Sequence, residues 1–521
     1  MQPRSLAINR TQHRSRASIP GKGTGRILYA VGLLWGGVLI VSLGLLWLGG
    51  AFEQRSGYSY LLPWCIATGI LLVSPIVHQL YTDTFDPFHP VVFASWTYLF
   101  PGFFIGGLAL IFGISEPYYL AYVLDERENL PLTFFYVMLG FAGLWIGFLL
   151  PFGRRLGGAI AKRLPDWNWR PADVVKPGLI LMAIGLVNTI LAFTFGILGF
   201  QRVDEIGAYD GLIYMLSLYW LEASFLLWLF IFRSERFNAI HYIVLAVLIV
   251  TSLTKSAFQG NRGSLITIFI LVTCAYVMTR GKIGIKQTLA GGLIVVILLM
   301  IGMVYGTTFR SIKRDQENIS MSEYAAYVGD TFSAIGSSNV IDNLSKGFGA
   351  LGDRLDAVSS LAVIVSNHER LSTLEDAYGF SNNIWNEFST FWIPRILWPD
   401  KPVTIDPAKY GDLYFNYSDN AFAVTPFGDL LRNFGPWGVP LGMMLLGFIL
   451  RTLYTSLREG QPFSFWRAVM YYMLLTSVSY EGTYSATIPF LVKVLLIAFT
   501  GILLIRFFAG PGRLSMSSDP I

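Results

Sequence analysis

AIHYIVLAVLIVTSLTKSAFQGNRGSLITIFILVTCAYVMTR, residues 239–280, holds two apolar runs separated by a short polar segment. Each run, 239–255 and 263–279, approaches the length at which a helix crosses about 30 Å of hydrocarbon with its backbone hydrogen bonds made internally. Barrel strands would be shorter and would alternate, so the runs read as transmembrane helices. The pattern recurs along the chain, with further spans expected at 27–50, 59–80, 89–113, 131–153, 177–200, 211–232, 287–306, 433–450, 464–482 and 486–505. The expectation is an all-α polytopic membrane protein of about 12 transmembrane helices. A chain that is 54% hydrophobic and 14% charged, with mean hydropathy +0.53, needs the bilayer as its solvent.

Charge sets the orientation. Residues 1–26, MQPRSLAINRTQHRSRASIPGKGTGR, carry six bases and no acid before an apolar block too long for a cleavable signal core. They read as a cytoplasmic tail touching anionic lipid, ahead of a retained first helix. Alternating from there, the cytoplasmic segments hold 21 Lys and Arg against 4 in the short outer loops, the asymmetry of the positive-inside rule. The expected organisation is a basic tail (1–26), helices 1–9 (27–306), a large extracytoplasmic loop (307–432), helices 10–12 (433–505) and a cytoplasmic tail (506–521).

The outer loop is too long to be a mere connector. DRLDAVSSLAVIVSNHERL, from Asp353, spaces Leu355, Val358, Ala362 and Val365 for an amphipathic helix on the bundle. FWIPRILWPDKPVTIDP, from Phe391, has four prolines and reads as irregular chain packed by Trp392 and Trp398. The loop carries 16 acids against 10 bases, which argues against a nucleic-acid partner. Cys65 and Cys274 lie in apolar blocks and offer neither disulfide nor metal site, and no cofactor motif occurs.

The bases of the loop are clustered: Arg310, Lys313 and Arg314 after the ninth span, Arg354 between Asp353 and Asp356, and Arg395 with Lys401. Guanidinium forks suit diphosphate oxygens; equally, arginines that flank a span snorkel to the interface. Arg262 breaks the charge asymmetry of the short outer loops, either for a task or to cap the turn of Gly260 and Gly263. Glu222 lies deep in an apolar run and should face the bundle interior, in a hydrogen bond, paired with Lys493 or with a direct role. His368 is the single histidine of the outer loop; it could be a general base or an ordinary polar loop residue. Carboxylate pairs, Asp353 with Asp356 and Glu375 with Asp376, are abundant and individually weak signals. Tyr410, Tyr414, Phe415 and Tyr417 could stack on sugars or anchor the loop at the interface, with anchoring the favoured reading.

QGNRGSL (259–265), FRSIKR (309–314), GDRL (352–355), PRILWPDKP (394–402) and TPFGDLLRNFGPWGVPLG (425–442) together resemble the Wzy-type polymerases of O-antigen and other bacterial surface polysaccharides. The likeness covers roughly residues 250–450. It implies a C-type membrane glycosyltransferase in the bacterial inner membrane, without metal or cofactor, that joins undecaprenyl-diphosphate-linked oligosaccharide units on the outer face. Its partners would be the lipid-linked oligosaccharide, membrane lipid and a chain-length regulator protein. Carried over, Arg262, Arg310, Arg314 and Arg354 would bind the leaving diphosphate, Arg395 and Lys401 would shape the cavity, and Asp429 and Arg432 would join the substrate site. Asp356 or His368 would take the hydroxyl proton. A flippase and an O-antigen ligase are the rivals. The flippase is disfavoured because the two halves of the chain show no likeness.

Overall fold

The structure is a computed structural model that describes residues 57–198, 207–234, 236–260, 264–280, 285–313, 321–337, 355–401, 407–417 and 422–510. The expected span at 27–50 and both chain tails beyond these limits lie outside the described residues. Among the described residues the elements are all helical: α1 (Leu62–Tyr81), α2 (Pro90–Ile111), α3 (Glu126–Leu149), α4 (Pro151–Ala161), α5 (Val175–Thr194), α6 (Asp210–Arg233), α7 (Ala239–Gln259), α8 (Ser264–Arg280) and α9 (Ile285–Lys313). There follow α10 (Met321–Ser337), α11 (Ala357–Tyr378), α12 (Asn383–Thr390), α13 (Pro407–Phe415), α14 (Thr425–Leu457), α15 (Phe465–Ser477) and α16 (Tyr484–Ala509).

Eight helices among the described residues are long and apolar enough to cross a membrane, and α8 is a shorter apolar helix. Their outward faces are apolar, with Ile70, Val250 and Leu496 all more than 60% exposed. Surfaces of that kind belong against lipid, not water. The chain is therefore a multi-pass helical membrane protein. The expected span 464–482 is only partly helical: α15 has 13 residues, and Val478–Thr483 runs without helix before α16 starts. Non-helical backbone is tolerated at such depth where protein covers it, and here Thr425 N–H donates to the Glu481 carbonyl at 3.2 Å.

The centre of the bundle is the contact of α3 with α14, and glycine makes it. A Cβ on Gly143 would lie 2.9 Å from Pro440 Cα, one on Gly147 2.8 Å from Met444 Cα, and one on Gly447 2.8 Å from Phe148 N. Without side chains the two backbones approach closely, the usual means by which helices associate in lipid. Beyond Leu150, Pro151 starts α4, and Gly153 and Gly157 continue the contact onto Arg451 and Thr452. Helix α14 itself breaks at Gly435 (φ 68°, ψ −166°), which Pro436 follows. The break folds its first arm back, so that Leu430 lies over Gly438 and Gly442.

Helix α11 is present where the periodicity placed it, but it is not a one-sided surface helix. Every residue from Ala357 to Val365 is buried. The reason is small side chains on all sides: Ser359, Ser360 and Ala362 alternate with the apolar stripe, a Cβ on Gly102 would lie 3.2 Å from Ala357 Cβ, and one on Gly428 3.1 Å from Leu361 and Ile364. The N-terminal half of α11 is thus inserted among α2, α3 and α14, and the polar part from Glu369 emerges. Of the proline-rich stretch the described part, residues 391–401, is a run of turns, and Trp392 (67% exposed) and Trp398 (37%) face outward instead of packing it.

Loop contacts sort into two sets, as alternating spans require. On one face Arg458 holds Asp86 at 2.7 Å, Arg467 reaches Asp166 at 3.2 Å and Ser464 donates to the Trp167 carbonyl at 2.9 Å. On the other, Tyr60 meets the Glu126 carbonyl, Asn367 the Tyr122 carbonyl and Tyr118 the Phe415 carbonyl. The glycine seam predicts that Gly147→Leu, which inserts a side chain between two backbones, costs several kcal/mol and abolishes the monodisperse peak on size exclusion. Gly158→Leu on α4, where a Cβ meets nothing within 4 Å, should leave that peak unchanged.

Candidate functional site

The first arm of α14, TPFGDLLRNF, places Asp429, Arg432 and Asn433 on one helical face. That face meets Glu375, Phe380, Asn383 and Tyr410. Arg432 Nη1 donates to Glu375 Oε2 at 2.7 Å and to the Phe380 carbonyl at 3.1 Å. Its Nη2 donates to Asn383 Oδ1 and Tyr410 OH at 2.7 Å and to Asp429 Oδ1 at 2.9 Å. Asp429 also accepts from Ser485 N–H at 2.8 Å, and Tyr414 OH donates to Glu375. The guanidinium is 1% exposed and the two carboxylates no more than 6%. Burial raises the Glu375 carboxyl, and the Arg432 charge pulls it back down. Two buried atoms of this knot, Arg432 Nε and Asn433 Oδ1, have no hydrogen-bond partner.

A second group of charges lies beside it. Lys493, on α16, approaches Glu387 of α12 at 3.7 Å. Lys401 Nζ donates to the Ile393 carbonyl at 3.3 Å, and Arg395 Nη1 to the Pro399 carbonyl at 3.2 Å. Burial lowers the Lys401 ammonium, with Glu387 opposing that shift and Lys493 and Arg395 adding to it as like charges. Lys493 and Arg395 are therefore both within electrostatic reach of Lys401. The segments that carry this group and α14 also carry exposed aromatics, Trp385 (62%), Trp392 and Trp437 (76%), with Trp385 edge-on to Phe434 at 5.9 Å. Tryptophan of this kind sits at the boundary of hydrocarbon and water.

Asp356 is the N-cap of α11. Its Oδ1 accepts from Ser359 N–H at 2.9 Å, and its Oδ2 accepts from Ser115 Oγ at 2.9 Å and Ser359 Oγ at 2.5 Å. Burial lifts its pKa to about 6 against these hydrogen bonds. Both oxygens are engaged and the residue is 2% exposed, so it serves as a cap within the bundle. His368, twelve residues on, is half-buried, with Nδ1 3.0 Å from the Val365 carbonyl. A carbonyl only accepts, so Nδ1 is the donor in this contact.

The structure brings Asp429 and Arg432 together in the knot and Arg395 and Lys401 together in the cationic group. Arg310 lies exposed at the end of α9; Arg262, Arg314 and Arg354 are outside the described residues. Lys493 meets Glu387, not Glu222. Glu222 is fully buried with no hydrogen-bond partner for either oxygen, against Gly501. Tyr410 (1% exposed), Tyr414 (4%) and Phe415 (0%) are buried and only Tyr417 (42%) is exposed, so the first two are hydrogen-bonding members of the knot and not interface anchors. Sequence reasoning missed Asn383, Glu387 and Ser485, none of which stands out from neighbouring polar residues. Lys493 is visible in the sequence as a base in an apolar span, but of the alternatives open for Glu222 the pairing with Lys493 does not form.

Comparison of the chain with protein-family models, with curated proteins and with solved structures finds no match.

Two outcomes are predicted. Arg432→Met leaves Glu375 and Asp429 buried without their cation and should destabilise the protein by about 3–5 kcal/mol, read as a lower thermal transition in detergent. For Asp356 the folded pKa lies above its ordinary value of 3.8, so the folded state binds more protons than the unfolded between about pH 4 and 6. Its contribution to stability is present below pH 4 and lost as pH rises through 6. Asp356→Asn should flatten that slope in transitions measured across the same range.

Proposed function

We propose that the chain is a membrane glycosyltransferase that joins polyprenyl-diphosphate-linked oligosaccharide units into a polysaccharide at the outer face of the bacterial inner membrane. The reading takes the topology as twelve spans with both termini cytoplasmic and α11–α13 on the outer side. The observation that carries it is the group of Arg395, Lys401 and Lys493, built on segments that also carry the exposed Trp385 and Trp392. Cations for a phosphate beside aromatic surface for an acyl or prenyl chain match an amphiphile held at the bilayer boundary. The resemblance in PRILWPDKP and TPFGDLLRNFG supports the same substrate.

In this mechanism a hydroxyl of one lipid-linked unit attacks the anomeric carbon of another chain. The new glycosidic C–O bond forms as the bond to the diphosphate oxygen breaks, and polyprenyl diphosphate leaves with the electron pair. Fixed cations stabilise the charge that grows on the leaving group. Arg395 and Lys401 hold it, Arg262, Arg310, Arg314 and Arg354 add to it, and His368 Nε2 accepts the hydroxyl proton. Asp429 and Arg432 act by fixing the wall on which α12 and the following turns rest.

Purified protein in liposomes with an undecaprenyl-diphosphate oligosaccharide should yield a ladder of lengths on a gel. His368→Gln should slow it about 100-fold or more, and Arg395→Gln with Lys401→Gln should weaken substrate use with the protein still folded. Unchanged substrate recovered from the opposite leaflet would replace the polymerase with a flippase. Transfer of finished polymer to a separate acceptor, with no ladder, would make it a ligase.

A further inference from the structure

Helix α4 lies at the opposite face from the cationic rim just described. Its glycines Gly153 and Gly157 press on Arg451, Thr452 and Thr455, which fixes its inner side against α14. On one flank Phe152 (65% exposed), Leu156 (47%) and Ile160 (37%) repeat every four residues as an apolar stripe. On the other, Arg154, Arg155, Lys162 and Arg163 line an open groove of about 600 Å³ with Gly158 among its lining residues. Arg154 is 70% exposed and stands 3.9 Å from Glu459, a carboxylate that Arg451 engages more closely at 3.0 Å. Arg155, Lys162 and Arg163 are exposed too.

At the end of a span an apolar flank belongs among acyl chains and a basic one among headgroups. The helix continues directly from membrane-spanning α3 past a break at Leu150, which puts it at that level without a linker. We infer that the groove of Arg154, Arg155, Lys162 and Arg163 is a binding site for the headgroup of an anionic phospholipid in the adjoining leaflet, whose acyl chains pack on Phe152, Leu156 and Ile160. Charge complementarity selects a net negative headgroup over a zwitterionic one, and the clamped glycines make the site preformed. The site is separate from the proposed glycosyl-transfer region, so it stands or falls independently of that reading.

The experiment is native mass spectrometry of the full chain released from nanodiscs of equal dioleoyl-phosphatidylglycerol and dioleoyl-phosphatidylcholine. Each base near an anionic surface favours binding about fivefold. The wild type should retain phosphatidylglycerol over phosphatidylcholine. The triple variant Arg155→Gln, Lys162→Gln, Arg163→Gln should lower that preference at least about tenfold. Gly158→Leu, whose Cβ meets nothing within 4 Å and whose side chain occupies the groove with every charge kept, should lower it as well. An equal wild-type ratio would overturn the proposal, as would retention unchanged in Gly158→Leu. Displacement of the lipid by equimolar inorganic phosphate would reduce the site to one for free anions and remove the lipid.

Discussion

One guanidinium organises the end of the bundle where α11 to α14 meet. Arg432 joins the end of α11, the turn at Phe380, the start of α12, α13 and the first arm of α14, all through its two terminal amines. A buried ion cluster of this sort adds little net stability, because desolvation offsets much of the attraction. Its effect is on choice among arrangements: few other placements of these short segments satisfy two buried carboxylates and an amide at once. The apolar contacts of α12 and α13 would tolerate sliding. The hydrogen bonds to Asn383 and Tyr410 do not.

The helical architecture and its alternation across the membrane were legible because they depend on composition over long windows. Runs such as 239–255 need only be long and apolar. The interior of the outer loop was not legible, for a different physical reason. Whether α11 lies on a bundle or inside it depends on the partners' side chains, and the glycines that admit it, Gly102, Gly106 and Gly428, stand far away in sequence. Likewise PFGDLLRNFG announced a helix with an acid and a base on one face, but not that Glu375, more than fifty residues earlier, would complete the pair. Trp392 and Trp398 went the other way: large aromatics suggest packing, and in a membrane protein the solvent that receives them is lipid.

The two regions of exposed charge follow the same rule at opposite ends of the bundle. Arg395 and Lys401 stand beside tryptophans, whereas Arg155, Lys162 and Arg163 stand beside a phenylalanine and two aliphatic residues. In each case long basic side chains keep their heads at the polar boundary while apolar neighbours remain in hydrocarbon. The buried bases behave otherwise. Arg432 bonds one oxygen each of Glu375 and Asp429, the half-buried Arg458 grips both oxygens of Asp86, and there the charge serves to join segments.

The glycine seam between α3 and α14 bears on how the molecule can move. Two backbones in direct contact have no side chains to re-rotamerise between them, so sliding along the seam would raise one carbonyl onto another. Helices α3, α4 and α14 consequently behave as a single stiff body. Helix α7 is its opposite, with 28% of its most apolar stretch buried against 56% for α3. Any breathing that widens the outer side of the protein has to be carried by α7 and its neighbours, hinged against a spine that stays still.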